Sequence, residues 1–150
     1  MNGKLFKLQL PYEFFMQAEK GASKKTFEDP EMMIDVGNEY MNMKKYQRAV
    51  EIFEKIIEEE KGLTHLAKAY NGCGIAYAVL GNYEKAIENF EEAINLSRYL
   101  IDFGARTYHN LGHVYELMGD KEKAKENFEK EKEIELDLYH YWVTMSDQLE

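Results

Sequence analysis

From Tyr46 onward the apolar residues fall three and four apart. Tyr46, Ala49, Val50, Phe53, Ile56 and Ile57 share one stripe, with charged residues between them. That spacing is the period of an α-helix with one buried face. It predicts a helix over about 45–60, partnered by one over about 30–43. The earlier helix opens at Asp29-Pro30-Glu31, where an acceptor at the N-cap precedes proline at the first helical position and an acid in the first turn. Gly62 ends the second helix, and Thr64 is placed to cap a third that runs to about 80. Gly81-Asn82 marks a turn, and a helix over about 83–98 follows. A fifth helix ends near Met118, before Gly119-Asp120. Beyond Asp120 there is no glycine or proline, and Ala124, Phe128, Ile134, Leu138, Trp142 and Met145 lie mostly three, four or six apart. One long helix, or two nearly fused, is expected to about residue 146. Residues 1–29 form an N-terminal extension, with a short helix expected from Pro11 to Gly21 and "KLFKLQL" extended before it.

The pattern repeats. Gly37, Gly74 and Gly112 are 37 and 38 residues apart, and each is followed at fixed distance by the same residues. Three positions on stand Tyr40, Tyr77 and Tyr115. Twelve on stand Ala49, Ala86 and Ala124, and sixteen on stand Phe53, Phe90 and Phe128. Large side chains (Met33, Tyr70, Tyr108) come four before each glycine. Val36, Cys73 and Leu111 come one before.

This motif, large-x2-apolar-Gly-x2-Tyr and then Ala-x3-Phe, resembles the tetratricopeptide repeat. The resemblance covers residues 30–136, with repeats at about 30–63, 67–100 and 105–138, and residues 137–150 as a capping extension of the last helix. It implies an all-α fold: a right-handed superhelical stack of antiparallel helix pairs with capping helices at its ends. Two departures stand out. The family's usual period is 34, so each joint carries three or four extra residues, close to one helical turn. They are expected to lengthen helices rather than form new loops. The proline that commonly closes the second helix is absent. Within the family, the third repeat looks most like the long-helix subclass of kinesin light chains and peptide-pheromone receptors.

Function follows from the resemblance more than from composition. In the family the first helix of each pair lines a concave groove. The groove positions here are Glu31, Ile34, Asp35, Asn38, Met41 and Asn42 in the first repeat. In the second they are Lys68, Asn71, Gly72, Ile75, Ala78 and Val79, and in the third Arg106, His109, Asn110, His113, Glu116 and Leu117. Lys68, Asn71, Arg106, His109, Asn110 and His113 are mostly donors, able to hold a peptide's carbonyls or acids. Met41, Ile75, Ala78 and Val79 offer apolar seats. The expected role is a protein–protein interaction module binding a peptide in the groove, as an adaptor or scaffold. The alternative is a self-assembling repeat protein that forms an oligomer through its terminal helices. The family's clamp for chaperone C-termini maps onto Ile34, Asn38, Gly72, Arg106 and Asn110. Only Asn38 and Arg106 fit it, so that ligand is disfavoured.

The net charge of −9 sets this donor row apart from the rest of the chain. It also argues against nucleic acid or a membrane surface as partner. No apolar run reaches membrane length, and a single cysteine with no zinc-type spacing suits a reducing, cytoplasmic setting. His109 and His113 are one turn apart, with Glu116 a turn further on, which is metal-ligand spacing in principle. "HNLGH" lacks the zinc-protease glutamate, and neither metal nor cofactor is expected. Cys73 sits at a core position and is expected to be a buried hydrophobe. No nucleophile constellation or phosphate loop is present, and the chain is not expected to be an enzyme. The acidic runs fall on outer helix faces. Trp142 and Tyr139 or Tyr141 are expected to pack on the third repeat as its cap; the second reading is an exposed patch joining two chains. The mid-helix glycines are expected to let each first helix approach the small Ala49, Ala86 or Ala124 of its partner.

Overall fold

The computed structural model describes residues 29–59 and 62–147, and the readings made for 1–28 lie outside these residues. Six α-helices follow in order: α1 Pro30–Asn42, α2 Tyr46–Glu59, α3 Leu63–Val79, α4 Tyr83–Asn95, α5 Ala105–Met118 and α6 Lys121–Asp147. A 3-10 turn, Ser97–Tyr99, lies between α4 and α5. The helices pack as three antiparallel pairs, α1/α2, α3/α4 and α5/α6, and each new pair stacks on the last.

Local chemistry sets the boundaries. The Asp29 side chain accepts from the amide of Glu31, and Pro30 occupies the first turn. Asn82 caps α4 through the Lys85 amide. Gly81 and Gly119, with φ of 79° and 84°, turn the chain in the left-handed region that other residues avoid. Thr64 does not cap α3. The N-cap is Gly62, without a side-chain bond, and Thr64 lies inside the first turn.

The extra residues of the two joints have different fates. At the first joint they lengthen a helix, and α3 reaches 17 residues. At the second they form a connection, residues 96–104, built from the 3-10 turn and closed by Phe103 and Gly104 at φ of 50° and 87°. Asp102 fixes this corner by accepting from the amides of Gly104 and Arg106. The expectation of lengthened helices therefore holds at one joint and fails at the other.

The core runs along the stack. Ala49, Val50, Phe53, Cys73, Ala76, Ala86 and Phe90 are buried. The side chain nearest to each repeated glycine is a phenylalanine. A Cβ on Gly37 would lie 2.6 Å from the Phe53 ring, one on Gly74 2.5 Å from Phe90, and one on Gly112 2.6 Å from Phe128. Gly72 presses on the opposite side of the stack, where a Cβ would also lie 2.6 Å from Phe53. Phe53 is thus held between a glycine of its own pair and one of the next. Ala49 and Ala86 are fully buried one turn away from these rings.

α6 extends to Asp147, as the unbroken pattern predicts, yet its last turns do not cap the third pair. Tyr139, Tyr141 and Trp142 are exposed, with Trp142 at 67 %. The expected packing of these aromatics on the third repeat is absent.

Candidate peptide-binding face

The first helices of the three pairs, α1, α3 and α5, lie side by side, and polar bonds tie each to the next. Between α1 and α3, the Lys68 ammonium donates to the Glu31 carboxylate at 2.9 Å, with His65 at 3.2 Å from the same group. Lys68 holds the Glu31 carboxyl below the usual carboxylate range. The pair is about half exposed, so screening keeps its contribution small. Between α3 and α5, the Thr107 hydroxyl donates to the Asn71 side-chain oxygen at 3.0 Å. Thr107 is fully buried, so this bond satisfies a polar group that has lost water. Asn71→Ala is expected to cost about 1 kcal/mol in a denaturation series, because the buried hydroxyl loses its partner. Thr107→Val should relieve part of that cost in the double variant.

The predicted groove residues divide by what they already hold. Lys68 and Asn71 are engaged between helices. His109 turns Nδ1 to Glu131 of α6 at 2.9 Å, His113 turns Nδ1 to Glu116 at 2.9 Å, and their two Nε2 atoms meet at 3.1 Å. Both rings also stand edge-on to Phe128. Asn38, Asn42, Arg106 and Asn110 have no side-chain partner among the described residues. The first three are exposed and Asn110 is half-buried. Met41, Ile75 and Ala78 pack partly against the core, while Val79 and Leu117 are exposed. Ile34 is corrected: it is buried in the core, not offered to a ligand. Gly72 is likewise taken up by Phe53.

Three partners were not visible in the sequence. Glu131 is one of many glutamates on α6, yet it alone reaches His109. Thr107 gives no sign of burial by type. Glu54 accepts a short hydrogen bond from the Tyr77 hydroxyl. Burial raises that hydroxyl's pKa, and the bond to Glu54 raises it further. In each case the contact joins helices 22 to 36 residues apart, and only the stacking register brings them together.

Cys73 is buried and free, as expected for its position. Burial pushes its thiol up to about 12, so it is a neutral apolar group at ordinary pH. Among the described residues, no three or more His, Cys, Asp or Glu side chains are placed to hold a metal ion.

Comparisons with known proteins agree with this architecture. The profile described as tetratricopeptide repeat matches residues 30–98 and again 65–134. Among solved structures, MamA is similar over 75 % of this chain with 26 % identity and a TM-score of 0.65. The chain spans 62 % of the MamA chain. The second tetratricopeptide domain of Spaghetti (RPAP3), solved bound to an HSP90 peptide, is 23 % identical, with a TM-score of 0.62 over 71 % of this chain and 93 % of its own. BtubC from P. vanneervenii is 19 % identical, with a TM-score of 0.71 over 86 % of this chain and 56 % of its own. A comparison with curated proteins gives no match.

Proposed function

The chain belongs to the tetratricopeptide repeat family, and we propose that the row formed by α1, α3 and α5 binds a peptide segment of a partner protein. The observation that carries this reading is the set of uncommitted donors on that row. Asn38 and Asn42 project from α1, and Arg106 and Asn110 from α5, each an exposed or half-buried polar group with no internal role. Asparagine amides pair with both groups of a peptide bond, and a guanidinium takes a carboxylate or two carbonyls. Val79 and Leu117 supply apolar seats beside them. Lys68 and Asn71 then hold the row in register through bonds to Glu31 and Thr107, while His109 ties α5 to Glu131 of α6 and His113 bonds within α5 to Glu116 and His109.

The Spaghetti domain's HSP90 peptide shows what that protein binds. At the clamp positions this chain places a buried Ile34 and the tightly packed Gly72, so the reading favours a peptide without that acidic terminus. An adaptor role in the cytoplasm is the simplest setting for such a module.

The test uses a random displayed peptide library panned on the full chain. The reading expects enriched sequences whose affinity falls at least tenfold, about 1.4 kcal/mol, when Arg106→Ala and Asn110→Ala are combined. Binding that ignores both substitutions contradicts it. Circular dichroism of the double variant should be unchanged, since neither side chain is in the core.

A further inference from the structure

A second surface lies on α6, independent of what the first helices hold. In the earlier pairs the following helix closes the angle between the two. α3 packs against both α1 and α2, and α5 against both α3 and α4. Phe53 and Phe90 are buried as a result. The angle between α5 and α6 has no such helix among the described residues, and Phe128 at its floor is only half-buried. Ala124, Phe128, Lys121, Lys125 and Lys132 line this open angle, with Glu116 and Glu129 beside them.

The same side of α6 continues past the angle. Steps of three and four residues from Phe128 and Lys132 reach Leu136, Tyr139, Trp142 and Val143. All four are exposed, Tyr139 at 64 % and Trp142 at 67 %. An apolar stripe of this kind marks an interaction site.

The two halves of the stripe are complementary in charge. On the stripe's side of α6, the half from Glu133 to Ser146 carries one acid, Glu135, and no lysine or arginine, while Glu133 and Asp137 fall on the opposite side of the helix. In the open angle, Glu116 is turned to His113 at 2.9 Å and Glu129 lies 3.7 Å from Lys125. Lys121 and Lys132 remain without a partner among the described residues.

We propose that two copies of this chain pair through α6, antiparallel about a two-fold axis near its midpoint, Ile134, each tail seated in the other's open angle. The tail then runs along the partner's α6 in the direction that α3 takes along α2 and α5 along α4. Leu136, Tyr139, Trp142 and Val143 cover the Ala124 and Phe128 floor. Lys132 of one copy faces Glu135 of the other, and symmetry repeats the contact. A second copy is the favoured occupant because both complementary halves lie on one helix, on one side, at equal distances from its midpoint.

Trp142 is the chain's only tryptophan, so its emission reads this contact directly. The full chain is diluted from about 200 μM to about 0.2 μM, a range spanning micromolar dissociation constants, and followed by fluorescence and sedimentation. The proposal expects a particle of twice the 17.7 kDa chain mass at the upper end, with emission shifting to the red on dilution. Tyr139→Glu should leave helicity intact and abolish the dimer. Lys132→Glu should weaken it about tenfold, and adding Glu135→Lys should restore it. The proposal is overturned by a monomer at every concentration, whether Trp142 emits as in water or is covered by the chain's own first 28 residues. It is equally overturned by a dimer whose affinity ignores both Tyr139→Glu and Lys132→Glu.

Discussion

Phe90→Ala is expected to lower the unfolding free energy by about 3–5 kcal/mol. Phe90 has no exposed surface. Its ring fills the space that Gly74 leaves open on α3, and α5 closes the other side. Removing the ring creates a cavity between helices that cannot collapse, because the backbone of α3 already lies at van der Waals distance. Total stability for a domain is about 5–15 kcal/mol, so the loss is a large share of it. Phe128→Ala removes the same atoms from the third pair, where the ring is half-buried at the open angle, and should cost only about 1–2 kcal/mol. Thermal denaturation of the two variants side by side, at about 0.2 μM where the proposed dimer is dissociated, checks the ranking. Equal losses would show that the third pair is covered as fully as the second.

Gly74→Ala should also destabilise, by about 2 kcal/mol, although alanine is the best helix former. Intrinsic propensity favours the substitution by about 0.8–1 kcal/mol. Against this, the new methyl carbon would lie 2.5 Å from both Cδ1 and Cε1 of Phe90. Phe90 is fully buried and cannot withdraw, and overpacking of this kind costs about 1–3 kcal/mol, here at or above the upper end. The two substitutions must therefore be coupled. In Gly74→Ala/Phe90→Ala the methyl has room and fills part of the cavity, so the double variant should be more stable than the sum of the single losses predicts. Chemical denaturation of the four proteins gives the coupling energy. A simple sum would mean that glycine and ring do not touch.

This pairing shows what the sequence makes legible and what it does not. The spacing of Gly37, Gly74 and Gly112 reveals the repeat, the helices and the face on which each helix is buried. It points to the alanine twelve residues on as the glycine's partner, whereas the nearest side chain is the phenylalanine sixteen on. Both residues lie on one face of the second helix, a turn apart. Periodicity fixes a face but not the level at which two antiparallel helices meet. The same limit explains Thr107 and Glu131, whose partners depend on the stacking register. Ile34 is different: an apolar residue suits either an apolar seat in the groove or the core, and the structure places it in the core. At the second joint, length alone could not distinguish an added helical turn from the Asp102-anchored corner. The aromatic tail reads as helix from its spacing. Whether an apolar stripe caps its own stack or another's depends on where the preceding helix ends, which composition does not record.

Donor residue types along the row are legible in the sequence; what each side chain already holds is not. Asn38, Asn42, Arg106 and Asn110 remain available, while Lys68, Asn71 and His109 bond to neighbouring helices and His113 bonds within α5. The account rests on that division. Nitrogen-15 spectra of the full chain, titrated with a peptide enriched on it, test it most directly. The account predicts that the side-chain amide signals of Asn38, Asn42 and Asn110 move with saturation, together with the Arg106 guanidinium, while the buried core signals of α2 and α4 stay in place. Shifts confined to α2, α4 and α6, with those four side chains unmoved, would contradict it.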